Sequence, residues 1–206
     1  MRIRDIALIT GLMGAIVFTN TAQLGNTVRG LEKEVLRMHI LANSDSEEDQ
    51  SLKIAVRDRL LEKSDELFSG CETLDEMKRK AIEEKDRINS IAQEVIHEKG
   101  YDYPSETELV NMEFEAKQYD DITMPAGNYD ALRVTIGKAD GHNWWCVMYP
   151  PLCIPAAEEV RTDEETKAKH FSDDELDIMK KPEEHRIGFK CIEIFKSIGK
   201  KFSDWF

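Results

Sequence analysis

The chain has 206 residues and an acidic balance, 41 Asp and Glu against 28 Lys and Arg, for a net charge of −13. That length holds one domain, or one domain with tails. The charge argues against a nucleic-acid partner, whose affinity comes from cations neutralising phosphates, and against nonspecific adhesion of the whole chain to anionic lipid or wall polymer.

The chain opens Met1-Arg-Ile-Arg-Asp5 and then runs apolar from Ile6 to Phe18. A basic start followed by about 7–15 apolar residues fits an export signal better than a stable membrane span, which needs roughly 20. Residues 1–22 therefore read as a signal peptide or a signal anchor. Ala22 suits a cleavage site and Asn20 does not, so removal and retention both stay open. Export permits disulfides among Cys71, Cys146, Cys153 and Cys191. Cys146 and Cys153 flank a strand end and a Pro-Pro corner, which allows a bridge between them. A chain of this size needs no cross-link to hold a core, and that favours buried or free thiols.

Val35 to Ala42 reads as a strand, with Leu36, Met38, Ile40 and Ala42 on a covered face and Arg37 and His39 on a partly covered one. Asn43 to Asp49 resembles a helix start. Ser44 and Glu47 have capping-box spacing, and the acidic cluster suits the positive end of the helix dipole. A first helix to about Phe68 carries Leu52, Val56, Leu60 and Leu67. A second, from about Leu74 to Glu98, carries Leu74, Met77, Ala81, Ile88, Ile91 and Val95, with Glu84 interrupting the stripe and Gly100 as the stop.

Beyond Pro104 the period changes to two. Glu108–Phe114, Ala131–Ile136 and Trp144–Tyr149 read as three strands of an antiparallel meander, reversing at Pro125–Asn128 and Gly137–Asn143 and stopped by Pro150-Pro151. Adjacent residues on a strand face opposite ways, so Trp144 and Trp145 cannot both enter one core. One is expected inside, the other on a second packed face or a partner surface. Residues 154–185 are acidic with few large apolar side chains and read as an insertion or mobile segment, with Ser172 to Glu175 suited to cap a short helix. Ile187–Ile194 alternates like a last strand. Phe195–Phe206 is amphipathic, a candidate to close the core or to dock on a membrane surface or partner. The fold expected is α+β: an antiparallel sheet of about four to five strands with two long helices packed on it, after the export segment, with residues 32–153 as its core.

Catalytic and metal readings fail on spacing. His142 and Cys146 stand about 13 Å apart if both lie on one strand, too far for a nucleophile and its base. His39, His142, Cys146 and Cys153 contain no short ligand pair of the kind zinc sites use. Asp45-x-Glu47-x-Asp49 lacks the central glycine and the final bidentate Glu of a calcium loop, and a capped helix accounts for it better. No cofactor or metal is implied, and the chain reads as a non-enzyme, the rival class being an exported enzyme acting on cell wall.

Three fragments, in order, resemble the stage II sporulation protein R family of endospore-forming bacteria. They are Leu36-Arg-Met-His-Ile-Leu-Ala-Asn-Ser-Asp-Ser-Glu-Glu-Asp-Gln-Ser-Leu-Lys53, Pro125-Ala-Gly-Asn-Tyr-Asp-Ala-Leu-Arg-Val-Thr-Ile-Gly137 and Gly141-His-Asn-Trp-Trp-Cys-Val-Met-Tyr-Pro-Pro-Leu-Cys153. The chain departs from the family's pattern at Glu113–Asp121 and in the acidic insertion after Cys153. The resemblance implies an exported signal, made in the forespore and acting in the space between forespore and mother cell. It implies as partner a membrane-embedded aspartic protease of the mother cell, which processes the early mother-cell sigma factor. On that reading His39, Asn43, Asp45, Trp144 and Trp145 are the candidate partner contacts.

Overall fold

The computed structural model describes residues 3–119, 121–150, 164–192 and 194. These divide into two compact units, the larger formed by Glu32–Glu115 and Ala126–His170. The larger unit is built on four strands: β1 (Leu36–Leu41), β2 (Ser105–Phe114), β5 (Gly127–Ile136) and β6 (Asn143–Tyr149). They lie in the order β2-β5-β1-β6. Strand β1 runs parallel to β5 and antiparallel to β6, and β2 runs antiparallel to β5.

The sheet is therefore mixed, and the expected meander is corrected: β1 lies between β5 and β6. The reason is in β1 itself. Leu36 to Ile40 are buried on both faces, and a strand covered on both faces belongs in the middle of a sheet. The reversal between β5 and β6 consequently passes over the end of β1 instead of making a tight hairpin.

Helices α2 (Glu47–Glu62), α4 (Leu74–Glu83) and α5 (Lys85–Glu98) supply the apolar partners of one sheet face. Leu52, Val56 and Leu60 of α2, Ala81 of α4, and Ile88, Ile91, Ala92, Val95 and Ile96 of α5 form one core with Met38, Ile40, Leu132, Val134, Ile136 and Cys146. Truncating such a side chain to Ala costs about 2–5 kcal/mol. The two helices of the sequence reading each break. The first stops at Glu62, followed by the short α3 (Ser64–Leu67). The second breaks at Glu84, which faces outward, Oε1 accepting from Lys80 at 2.9 Å and Oε2 from Arg87 at 3.5 Å. Thr73 and Glu76 close a capping box at the start of α4. Helix α6 (Glu164–His170) is the last element of this unit.

The smaller unit comprises Met1–Leu31, Ala116–Pro125 and Phe171–Phe206. Helix α1 (Ile3–Glu34) runs unbroken through its first segment. A hairpin of β3 (Lys117–Tyr119) and β4 (Ile122–Met124) and helix α7 (Asp173–Lys180) follow. Ser172 and Glu175 make the capping box expected for α7. Phe171, Ile178 and Met179 are buried, so this part of the acidic stretch is folded. Residues 186–192 are helical, which corrects the expected last strand. Phe189 and Ile192 stand three apart and share one helix face, where they pack against Leu24, Val28 and Ile178. The expected amphipathic segment 195–206 lies outside the described residues.

Cys146 is disulfide-bonded, against the preference for free thiols, whereas Cys71 and Cys191 are free. Cys153 lies outside the described residues.

Candidate functional site: a loop rim at the end of the central strands

The loop after β1 and the loop between β5 and β6 meet at one end of the sheet. Gly141 N–H donates to the Ala42 carbonyl at 3.0 Å, and Asp140 N–H donates to the Asn43 carbonyl at 3.3 Å. The approach is close enough that a Cβ on Gly141 would lie 2.2 Å from the Ser44 carbonyl oxygen. Gly137 turns the second loop with φ of +59°, and a Cβ there would meet Asn43 Oδ1 at 2.3 Å.

Asn43 is the clamp between the loops. Its Oδ1 accepts from Lys138 N–H at 3.0 Å, and its Nδ2 donates to Asp49 Oδ2 at 2.8 Å. Asp49 is 4% exposed, and its Oδ2 also accepts from Ser44 Oγ at 2.5 Å. Burial pushes its carboxyl upward, but hydrogen bonds from Ser44, Asn43 and Tyr103 outweigh that and hold it below the usual carboxylate range. The residue that caps α2 is Ser46, whose hydroxyl accepts from Asp49 N–H at 3.1 Å. This corrects the assignment of the cap to Ser44, whose hydroxyl is turned to the Asp49 carboxylate. Lys53, also buried, donates to Gln50 Oε1 at 2.6 Å and to the His142 carbonyl at 2.8 Å, tying α2 to the second loop. Burial lowers its pKa.

On the outer side of this clamp lies the exposed pair Asp45 and His142. Asp45 Oδ1 accepts from His142 N–H and contacts ring Nδ1, both at 2.5 Å. The side chains are 54% and 80% exposed. The backbone hydrogen bond from His142, then the one from its ring, holds the Asp45 carboxyl below its ordinary value. Asp45 and Asp49 thus point to different partners. Among the described residues, no group of three or more His, Cys, Asp or Glu side chains is placed to hold a metal ion.

Trp144 and Trp145 continue the rim onto β6 and lie on opposite faces of the sheet, both half-buried. Trp144 stands opposite Ile40, packs against the main core, and has the Arg57 guanidinium 5.4 Å from its ring centre. Trp145 stands opposite His39 on the other face, with its ring 5.4 Å from that of Phe114 and 6.1 Å from that of His39. The Arg37 guanidinium is fully buried against these aromatics, 4.1 Å from the Phe114 centroid and 5.1 Å from that of Tyr129. His39 is 3% exposed, with Nδ1 3.2 Å from Met112 Sδ. Burial lowers its pKa, Asn143 opposes that shift, and Arg133 and Arg37 reinforce it.

Of the five candidate contacts, then, the structure brings Asn43, Asp45 and Trp144 to the rim, with Trp145 one residue along on the opposite face. His39 lies inside, so any effect it has on a partner passes through Trp145 and its neighbours. Sequence reading missed the central parts of the clamp, Asp49 and Lys53. Asp49 reads in sequence as one acid of a helix start, although its carboxylate binds Asn43 and Ser44, and the carbonyl that holds Lys53, that of His142, lies about 90 residues away. A recess of about 920 Å³ lies toward the opposite end of β1, lined by Met38, Phe68, Cys71, Met77, Met148 and Tyr149. Its lining also includes Asp65, Glu72, Lys169 and His170, but the candidate contacts converge on the rim.

The three fragments singled out in the sequence supply adjacent parts of this architecture: β1 with its loop and the start of α2, then β5, then β6 with the preceding loop. The family model for stage II sporulation protein R matches residues 32–159. The stage II sporulation protein R of Bacillus subtilis (strain 168) is 32% identical over 165 residues, covering 78% of this chain and 74% of that protein. No solved structure matches. A match over more than half the chain, with a relative similar over most of both lengths, places this chain in the stage II sporulation protein R family.

Proposed function

We propose that this sporulation signalling protein is an exported activator of a membrane-embedded aspartic protease. It works in the space between forespore and mother cell, and the protease it triggers processes the early mother-cell sigma factor. The observation that carries the reading is the convergence of the three family-like fragments on adjacent strands and on the rim where their loops meet. The rim offers a rigid backbone held by Asn43, Asp49 and Lys53, a charged exposed pair at Asp45 and His142, and an aromatic anchor at Trp144. A preorganised polar surface beside a tryptophan is the kind of patch on which binding energy concentrates. The chain acts as a ligand and not as an enzyme.

Activation requires that the ligand bind the active protease better than the inactive one. Switching a population from nearly all inactive to nearly all active takes a differential of about 5.5 kcal/mol. Stabilising an assembled or reoriented protease would supply it. The test is co-expression of protease and pro-sigma substrate in a non-sporulating host, with this chain either exported or retained in the cytoplasm. Processing that follows the dose of the exported form supports the reading, and processing indifferent to export or dose rejects it.

A further inference from the structure

The chain has four cysteines. Cys71 and Cys191 are free and half-buried, whereas Cys146 is disulfide-bonded. Cys146 is 1% exposed and belongs to the main core, standing opposite Met38 of β1. It is the middle residue of β6 and directly follows Trp144 and Trp145.

Strand β6 is the weaker of the two sheet edges. At the other edge, β2 pairs with β5 along all ten of its residues without a slip. Among the described strands β6 pairs with β1 alone, over seven residues. Its rim end is tied by Lys53 Nζ, which donates to the His142 carbonyl at 2.8 Å, and by Gly141 N–H, which donates to the Ala42 carbonyl at 3.0 Å. The far end has less to hold it. There the register slips, with Arg37 opposite Val147 and Leu36 opposite Tyr149, so that Met148 is an extra residue. Such a bulge disrupts the ladder locally. Pro150 and Pro151 come next in the sequence, and neither has an N–H with which to extend the ladder. The first cysteine beyond the prolines is Cys153.

We propose that Cys146 is bonded to Cys153 and that this bond is a redox latch on β6, open while the chain is in a reducing compartment and closed by export. In closing, the two thiols lose two protons and two electrons to the disulfide of a thiol–disulfide oxidant, which leaves as a dithiol. Thiols stay reduced in the cytosol and pair outside it. The bond ties the chain beyond the prolines back to the middle of the strand and limits the freedom of the opened state. It therefore fixes β6 on the side where the ladder is broken, and with it the two tryptophans that precede Cys146. The consequence for signalling rests on the activator reading. The bond and its hold on β6 do not, and their test reads no proteolysis.

The full chain is recovered from an exporting host and, separately, from the cytoplasm of a reducing host. Each sample is alkylated, digested without reductant and mapped by mass spectrometry. The expected result is one cross-linked peptide pair joining Cys146 and Cys153 in the exported chain, with Cys71 and Cys191 alkylated, and four alkylated cysteines in the cytoplasmic chain. Hydrogen exchange then compares the exported chain carrying Cys71→Ser and Cys191→Ser with the same chain carrying Cys153→Ala as well. That last change breaks the bond while leaving Cys146 in the core and no other thiol to pair with it. Exchange in 144–149 should rise at least about tenfold, while α5 keeps its protection. An alkylated Cys146 in the exported chain, a bond joining another pair, a bond already closed in the cytoplasmic chain, unchanged exchange in β6, or an equal rise through α5 would each overturn the proposal.

Discussion

Replacing Asp49 with Asn isolates the clamp beneath the rim. The carboxylate is 4% exposed and accepts from Asn43 Nδ2 at 2.8 Å and from Ser44 Oγ at 2.5 Å through one oxygen. Asparagine keeps the shape and removes the charge. With its carbonyl toward these donors it retains weaker neutral bonds, while its NH₂ faces whatever the second carboxylate oxygen met. Hydrogen bonds to a charged group contribute about 1.5–3 kcal/mol each against about 0.5–1.5 for neutral ones. Two such bonds, partly kept, predict a loss of about 2–4 kcal/mol at pH 7, or a fall in Tm of roughly 5–15 °C for a chain of this size. The sign of the pH dependence follows. A carboxyl held below its ordinary value in the fold contributes stability that is present above the unfolded pKa near 4 and lost as pH falls through the folded one. The difference between wild type and Asp49→Asn should therefore be largest near neutrality and shrink below about pH 4. Urea unfolding followed by tryptophan fluorescence and circular dichroism measures both. A variant within about 0.5 kcal/mol of wild type at pH 7, or a gap that widens on acidification, refutes the clamp.

Gly141→Ala places a Cβ 2.2 Å from the Ser44 carbonyl oxygen, a backbone atom with nowhere to move. A loss of about 1–3 kcal/mol is expected from forcing the loops apart, and thermal unfolding checks it. His142→Ala removes an 80% exposed side chain, so stability should change by less than about 1 kcal/mol while sigma-factor processing in the co-expression host falls. A folded variant with full processing would remove His142 from the contact surface. His39, with its pKa lowered by burial, should titrate below the ordinary histidine value in an NMR pH series. The stability it contributes is present above about pH 6.5 and declines as pH falls below that value. A midpoint at or above the ordinary value would contradict its placement among Met112, Phe114 and Trp145.

Periodicity made much of the larger unit legible. The stripes of the helices, Leu74 apart, and the alternation of Leu132, Val134 and Ile136 reappear as buried residues. Strand order was not legible, because it depends on which strand is covered on both faces. In β1 that cover includes a fully buried Arg37, which alternation alone reads as half-exposed. The segment 187–194 misled for a different reason. Phe189 and Ile192 fit a helix face as well as a strand face, and Leu24 and Ile178 decide between them. At the rim, Asn43 and Asp45 were recognisable as polar residues in a turn, but their work was not. Asn43 bridges to Lys138 and Asp45 to His142, each more than 90 residues on. The Asp-x-Glu-x-Asp spacing fails as a calcium loop on sequence alone, and the structure turns its first and last carboxylates to different partners.

The most direct measurement places the protease with its pro-sigma substrate in proteoliposomes and adds purified protein to the face that meets the intermembrane space. Initial cleavage rate is followed against protein concentration. The account predicts a rate that rises from near zero and saturates, with the Asp45→Ala, His142→Ala double variant shifted to higher concentration though equally folded. A rate unchanged by the protein at any concentration would contradict it.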